Sequence, residues 1–123
     1  MAFYESIIII RQDVSSADVD KIVEDLKQLV LTYKGEIVKA EYWGLRTLAY
    51  QIQNNKKGHY YFMGIKADTQ LLDEMDRRIK LSESIIRSSL IRVSAISDEP
   101  SPILREKNTD TDNTVDVTSN KVK

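Results

Sequence analysis

The chain has 123 residues, 18 Lys or Arg against 19 Asp or Glu, and no cysteine. That length sets one domain with room for a tail, and the missing cysteine excludes a disulfide framework or a thiolate metal site. A net charge of −1 argues against a chain that holds nucleic acid unaided, since phosphate affinity scales with the phosphates neutralised.

Phe3 to Ile10 predicts a strand, and no apolar run here is long enough to span a bilayer. No secretory signal is expected, for the N-terminus lacks a basic region followed by a long apolar stretch. Ile7 to Ile10 is β-branched without interruption, the pattern of a central strand buried on both faces. Arg11-Gln12-Asp13 leads into a helix, with Ser15 or Ser16 as cap and Asp18 in the first turn. Val19, Ile22, Val23, Leu26, Leu29, Val30 and Tyr33 recur at three- and four-residue spacing, one apolar stripe. Gly35 is the expected stop. Glu36 to Ile52 predicts a long strand bent near Gly44, because a glycine inside a strand pattern marks a bulge or a close backbone approach. Asn54 to Gly58 predicts a turn, and His59 to Ala67 the returning strand of a hairpin. Asp68 or Thr69 caps a second helix with Leu71, Leu72, Met75 and Ile79 on its apolar side. Ser82-Glu83-Ser84 ends it, and Ile85 to Val93 predicts the last strand.

The order is βαββαβ. Right-handed crossovers then give a ferredoxin-like α+β fold: a four-stranded antiparallel sheet in the order 4-1-3-2, with two helices on one face. Strands one and three become central, and Ile7–Ile10 and Tyr60–Ile65 are the most continuously apolar stretches. This domain takes residues 1–97. From Asp98 onward two prolines and a run of Asn, Asp, Thr, Ser and Lys predict a disordered polar tail, 98–123, with too little apolar surface to offset its ordering entropy. The tail carries six acids and four bases, which leaves 14 bases and 13 acids in the domain. The helix-free face is expected to expose apolar area from Ile7–Ile10 and from one parity of Tyr60, Tyr61, Phe62 and Met63, a partner surface.

No motif carries catalysis. His59, the only histidine, has neither nucleophile nor orienter beside it and reads as a partly exposed strand residue. Asp73–Arg77 and Glu74–Arg78 are spaced as solvated i,i+4 ion pairs, not as a carboxylate dyad. With no G-x-G-x-x-G, Walker or H-E-x-x-H pattern, no enzyme activity, cofactor, metal or small-molecule substrate is expected. Lys57-Gly58-His59-Tyr60-Tyr61 partly fits the third-strand motif of RNA-recognition domains. His59 and Gly64 stand where rings are wanted, however, so ordinary sheet aromatics are the better reading. Lys56 and Lys57, at a hairpin tip, suit point contacts with phosphates. Arg87 and Arg92 have odd separation and fall on opposite faces of a regular strand. Arg46, beside the Gly44 bulge, is re-aimed outward. The residues by themselves lead to a small α+β binding module, and a regulatory or ligand-binding module that forms homo-oligomers stays open.

A composite of motifs goes further. Phe3-Tyr4-Glu5, Glu41, Trp43-Gly44, Arg46, Leu48-Ala49-Tyr50, Ile52, Gly58 to Tyr60, and Ile86-Arg87-Ser88 with Arg92 together resemble the bacterial ribosomal small-subunit protein six family. The resemblance covers residues 1 to about 97 and implies a structural, non-enzymatic role in the cytoplasm, on the ribosome. It also implies two partners, small-subunit protein eighteen and the central domain of small-subunit ribosomal RNA, bound during assembly. By position Lys80, Arg87 and Arg92 match basic residues near the family's RNA side, and Arg46 matches its hairpin arginine. With Lys56 and Lys57 these make the expected RNA-binding set. One departure is Ala2, where many relatives carry a basic residue.

Overall fold

The computed structural model describes residues 1–97 and 99–101. Six elements follow in the predicted order: β1 (Ala2–Arg11), α1 (Ser16–Thr32), β2 (Glu36–Ile52), β3 (Asn55–Ala67), α2 (Thr69–Leu81) and β4 (Ile85–Val93). The strands form one sheet in the order β2-β3-β1-β4, every neighbouring pair antiparallel. This is the predicted 4-1-3-2 arrangement read from the other edge, with β1 and β3 central.

Local chemistry sets the helix ends. Ser15 caps α1, its hydroxyl accepting from the Asp18 N–H at 3.2 Å. Asp68 caps α2, its carboxylate accepting from the Leu71 N–H at 3.0 Å. Each cap satisfies an N–H that has no partner within the helix. The far end of α1 differs from expectation. Lys34, with φ 64°, is the left-handed residue, and the N–H groups of Lys34 and Gly35 close back onto Leu31 and Val30 carbonyls at 2.9 and 2.8 Å. This is a Schellman closure. Gly35 is needed for room instead: a Cβ there would meet Leu71 Cδ2 at 2.7 Å and the Lys66 carbonyl at 2.8 Å.

The predicted five-residue turn is also shorter. Gln53 and Asn54, at φ 49° and 68°, form a two-residue connection, and Asn55 already pairs with Ile52. Two consecutive positive φ values match the right-handed twist of a hairpin. Asn55 is buried and explains the tightness: its amide donates to the Ile52 and Gln53 carbonyls, and its side-chain oxygen accepts from the Gln12 N–H.

One face of the sheet carries the main core. Ile8 and Ile10 of β1 and Met63, Ile65 and Ala67 of β3 pack against Val19, Val23, Leu26, Leu29 and Val30 of α1 and Leu71 and Met75 of α2. Each fully buried aliphatic side chain contributes about 1.5–3 kcal/mol. The other face was expected to be open. Instead Ile7, Ile9, Leu48, Tyr60, Phe62 and Ile86 form a second buried cluster, with Trp43 and Ile52 packed on it. Tyr60 is 1 % exposed, so it is no platform for a base.

Part of that cover comes from the segment after β4. Ile96 lies over Gly64, where a Cβ would come within 2.9 Å of its Cδ1 and Cγ2. Further on, the Glu99 carbonyl accepts from Lys39 Nζ at 2.5 Å, and Ser101 donates to Glu41 from its N–H at 3.1 Å and its hydroxyl at 2.5 Å. A strap thus runs from the β4 edge across the sheet to β2. The strap includes residues 99–101, on the far side of the predicted domain boundary. Of the predicted disordered tail, residues 98 and 102–123 lie outside the described residues.

Candidate nucleic-acid interface

β2 shifts register against β3 at three places, the first between Ile37 and Lys39, and the other two shape the signature hairpin. At the nearer of these two, Tyr42 pairs with Tyr61 and Gly44 with Tyr60, so Trp43 is the extra residue of a bulge and Gly44 takes φ 95°. The bulge turns the Trp43 ring onto the helix-free face. There it stacks on Phe62, centroids 5.3 Å apart and planes within 6°, and its Nε1 donates to Glu41 Oε1 at 3.0 Å. Burial works against the Glu41 carboxylate, yet the hydrogen bonds from Ser101 and Trp43, with Lys39 nearby, hold its pKa below the ordinary range. The Trp43 carbonyl accepts from Arg46 Nε at 2.8 Å.

The last irregularity falls between the Thr47–Lys57 and Ile52–Asn55 pairs, where residues 48–51 of β2 face only Lys56 of β3. The surplus makes β2 curl over the face. Leu48 drops into the second cluster, and Tyr50 reaches the opposite edge of the sheet. There Arg87 Nη1 donates to the Tyr50 hydroxyl, and the guanidinium carbon lies 5.6 Å from the ring centroid.

The predicted RNA-binding residues divide into three places. Arg46 pairs with Gly58, and Arg87 with Ile9, so both stand on the helix-free face at the hairpin end. Lys56 and Lys57 are exposed on the first residues of β3 at the same end, and the Lys57 N–H donates to Gln12 Oε1 at 3.0 Å. Arg92 is exposed and pairs with Tyr4, on the helix side, so the opposite-face expectation for Arg87 and Arg92 holds. Lys80 sits on α2, where it pairs with Asp76 at 2.9 Å.

Arg11 was missed. It pairs with Gly58, in the same rung as Arg46 and two strands away, about 10 Å at ordinary strand spacing. Strand parity could have found it. Asp13, however, accepts from its guanidinium at 3.2 and 3.1 Å, and this pairing raises the Arg11 pKa and lowers that of Asp13. Arg46 and Arg87 have no such carboxylate among the described residues; neutral oxygens orient them. They keep their full charge for an outside anion.

His59 differs from its predicted partial exposure. It is buried, and both ring nitrogens are bonded: Nε2 donates to the Val14 carbonyl at 3.0 Å, and Nδ1 meets the Tyr42 hydroxyl at 2.9 Å. Burial, then the charge of Asp20, raises the Tyr42 pKa. Neither group faces a nucleophile. On α2 the predicted Glu74–Arg78 pair forms at 3.0 Å, while Arg77 pairs with Glu74 at 2.6 Å instead of with Asp73. Among the described residues no cluster suits a metal ion, and no helix is long and apolar enough to cross a membrane.

The sequence profile described as Ribosomal protein S6 matches residues 3–92. The chain belongs to the ribosomal protein S6 family. It is similar to small ribosomal subunit protein bS6 of Rickettsia prowazekii, at 54 % identity over 120 residues, covering 98 % of this chain and 99 % of the relative. The bS6 protein of Rickettsia conorii is 53 % identical over the same share of each chain. Among solved structures, 30S ribosomal protein S6 from Thermotoga maritima superposes with a TM-score of 0.71 at 31 % identity, covering 75 % of this chain and 87 % of that one. The chain is therefore a structural, non-enzymatic protein of the small ribosomal subunit. The protein-six resemblance and the ferredoxin-like fold are both borne out.

Proposed function

We propose that this protein binds the central domain of small-subunit ribosomal RNA together with small-subunit protein eighteen during assembly. The RNA contact is made by Arg46, Lys56, Lys57 and Arg87 at the hairpin end of the sheet, with Lys80 and Arg92 as outlying phosphate contacts. The observation that carries the reading is the way Arg46 and Arg87 are held. A carbonyl and a phenol orient them without neutralising them, and both face the same side of the sheet. A near-neutral domain with a few uncompensated guanidinium groups supplies too little phosphate affinity alone and enough when a partner adds more. Contacts of this kind read the RNA backbone and shape and leave base edges unread.

The test is binding of the purified chain to a central-domain ribosomal RNA fragment, with and without protein eighteen. A complex that forms only with the partner supports the reading. Arg87→Ala should then weaken RNA binding more than it weakens the protein pair, and lower the salt slope by about one phosphate. No RNA complex under either condition, with both proteins folded, overturns it.

A further inference from the structure

We propose that Tyr50 and Arg87 form a site for one unpaired RNA nucleotide, the base stacked on the Tyr50 ring and its phosphate held by the Arg87 guanidinium. This rests on the RNA-binding reading above and adds to it a second kind of contact. Tyr50 is 60 % exposed, the most exposed aromatic among the described residues. Its neighbours Leu48 and Ile52 belong to the second cluster and Tyr50 does not, so packing among the described residues gives no reason for the ring. The curl of β2 nonetheless carries it across the sheet to Arg87.

The pairing is asymmetric in a useful way. Arg87 spends one N–H on the Tyr50 hydroxyl and makes no ion pair among the described residues. A guanidinium has five N–H donors in a fixed plane, so most remain for a phosphate in an orientation already set by the phenol. The guanidinium carbon is 5.6 Å from the ring centroid, close enough for cation–π attraction, and the contact still leaves Tyr50 mostly exposed. A flat aromatic surface beside a planar cation with unused donors matches a nucleotide, which brings a π-face and an anion together. The nucleotide must be unpaired, because the bases of a duplex already cover one another's faces.

The experiment measures affinity of the full chain, with protein eighteen present, for a central-domain ribosomal RNA fragment that retains its unpaired nucleotides. The variants are Tyr50→Phe, Tyr50→Ala, Arg87→Ala and the Tyr50→Ala/Arg87→Ala double variant, each checked for folding by circular dichroism. Tyr50→Phe keeps the ring and removes only the hydroxyl that orients Arg87, so it should lose clearly less than Tyr50→Ala, which should lose about tenfold. The double variant should lose less than the product of the single losses, because both residues serve one nucleotide. Closing the unpaired nucleotides into duplex should erase the Tyr50→Ala effect. Parental affinity for Tyr50→Ala overturns the proposal, and so does a Tyr50→Phe variant as weak as Tyr50→Ala, which would assign the hydroxyl and not the ring. Failure of the parent to bind any RNA fragment overturns the broader function instead, so the two failures are distinguishable.

Discussion

The strap beyond β4 makes a quantitative prediction through Ile96 and Gly64. Ile96 is half-buried between exposed neighbours at positions 95 and 97, and it occupies the space a side chain on Gly64 would need. Half the value of a fully buried aliphatic side chain is about 1 kcal/mol, so Ile96→Ala should cost about that much. For a domain of this size the corresponding fall in Tm is about 4–8 °C. Gly64→Ala places a methyl 2.9 Å from Ile96 Cδ1 and Cγ2. The atoms in the way belong to one flexible side chain, so the strap lifts and the sheet stays intact. The cost should again be about 1 kcal/mol, because the same packing is undone from the sheet side. The two substitutions must therefore not add. In the Ile96→Ala background Gly64→Ala should be nearly free, a coupling of at least about 0.5 kcal/mol. Urea unfolding of the parent, both single variants and the double variant reads all four corners of the cycle. Additive losses, or an Ile96→Ala variant as stable as the parent, would refute the claim that the strap rests on the sheet through Ile96 and Gly64.

Two further predictions concern stability. The hydrogen bonds from Arg77 and Arg78 lower the Glu74 pKa from 4.5 to about 2; a carboxyl depressed on folding stabilises the fold above its unfolded value and loses that contribution as pH falls through its folded one. Parent and Glu74→Gln should thus differ in urea midpoint at neutral pH and converge between 4.5 and about 2; a gap that widens on acidification would contradict the assignment. Gly44 and Gly58 should fail differently. At Gly44 a Cβ meets nothing within 4 Å but φ is 95°, so Gly44→Ala costs about 1 kcal/mol of backbone strain. At Gly58 the Cβ would lie 2.4 Å from Ile9 Cγ2, and overpacking costs about 1–3 kcal/mol. Replacement by Asn, which tolerates the left-handed region, should recover part of the loss at 44 and worsen it at 58; equal behaviour at both sites would show that the two causes are misassigned.

Element order and sheet topology were readable because they rest on periodicity and punctuation. The stripe from Val19 to Val30 and the Ile7–Ile10 run mark a helix face and a central strand whatever surrounds them, and both are buried as read. What escaped depends on partners distant in the chain. Gly58 sits in a turn-like string, Asn-Asn-Lys-Lys-Gly, and was read as part of the turn; it is a strand residue pressed against Ile9. The helix-free face was read as open because alternation along a strand reports which side a residue faces, not what another segment lays across it. The curl of β2 and the return of Ile96 are invisible to a two-residue period. Of the candidate interface, the chemistry of Arg46 and Arg87 was legible from the composite motif. That no described carboxylate pairs with them was not, since it depends on Trp43 and Tyr50 arriving as neutral acceptors.

The buried imidazole has a consequence of another kind. His59 is the only histidine of the chain, and the Val14 carbonyl can only accept, so in the neutral ring the proton sits on Nε2 while Nδ1 accepts from Tyr42. One side chain thereby joins the loop before α1, the first half of β3 and the bulged part of β2. Its nitrogen resonances need no assignment and differ between the two tautomers. A single isotopically labelled residue thus serves as a native spectroscopic probe: moving the hairpin away from the loop before α1 breaks the Val14 bond, distorting the hairpin at its bulge breaks the Tyr42 bond, and the spectrum reports which.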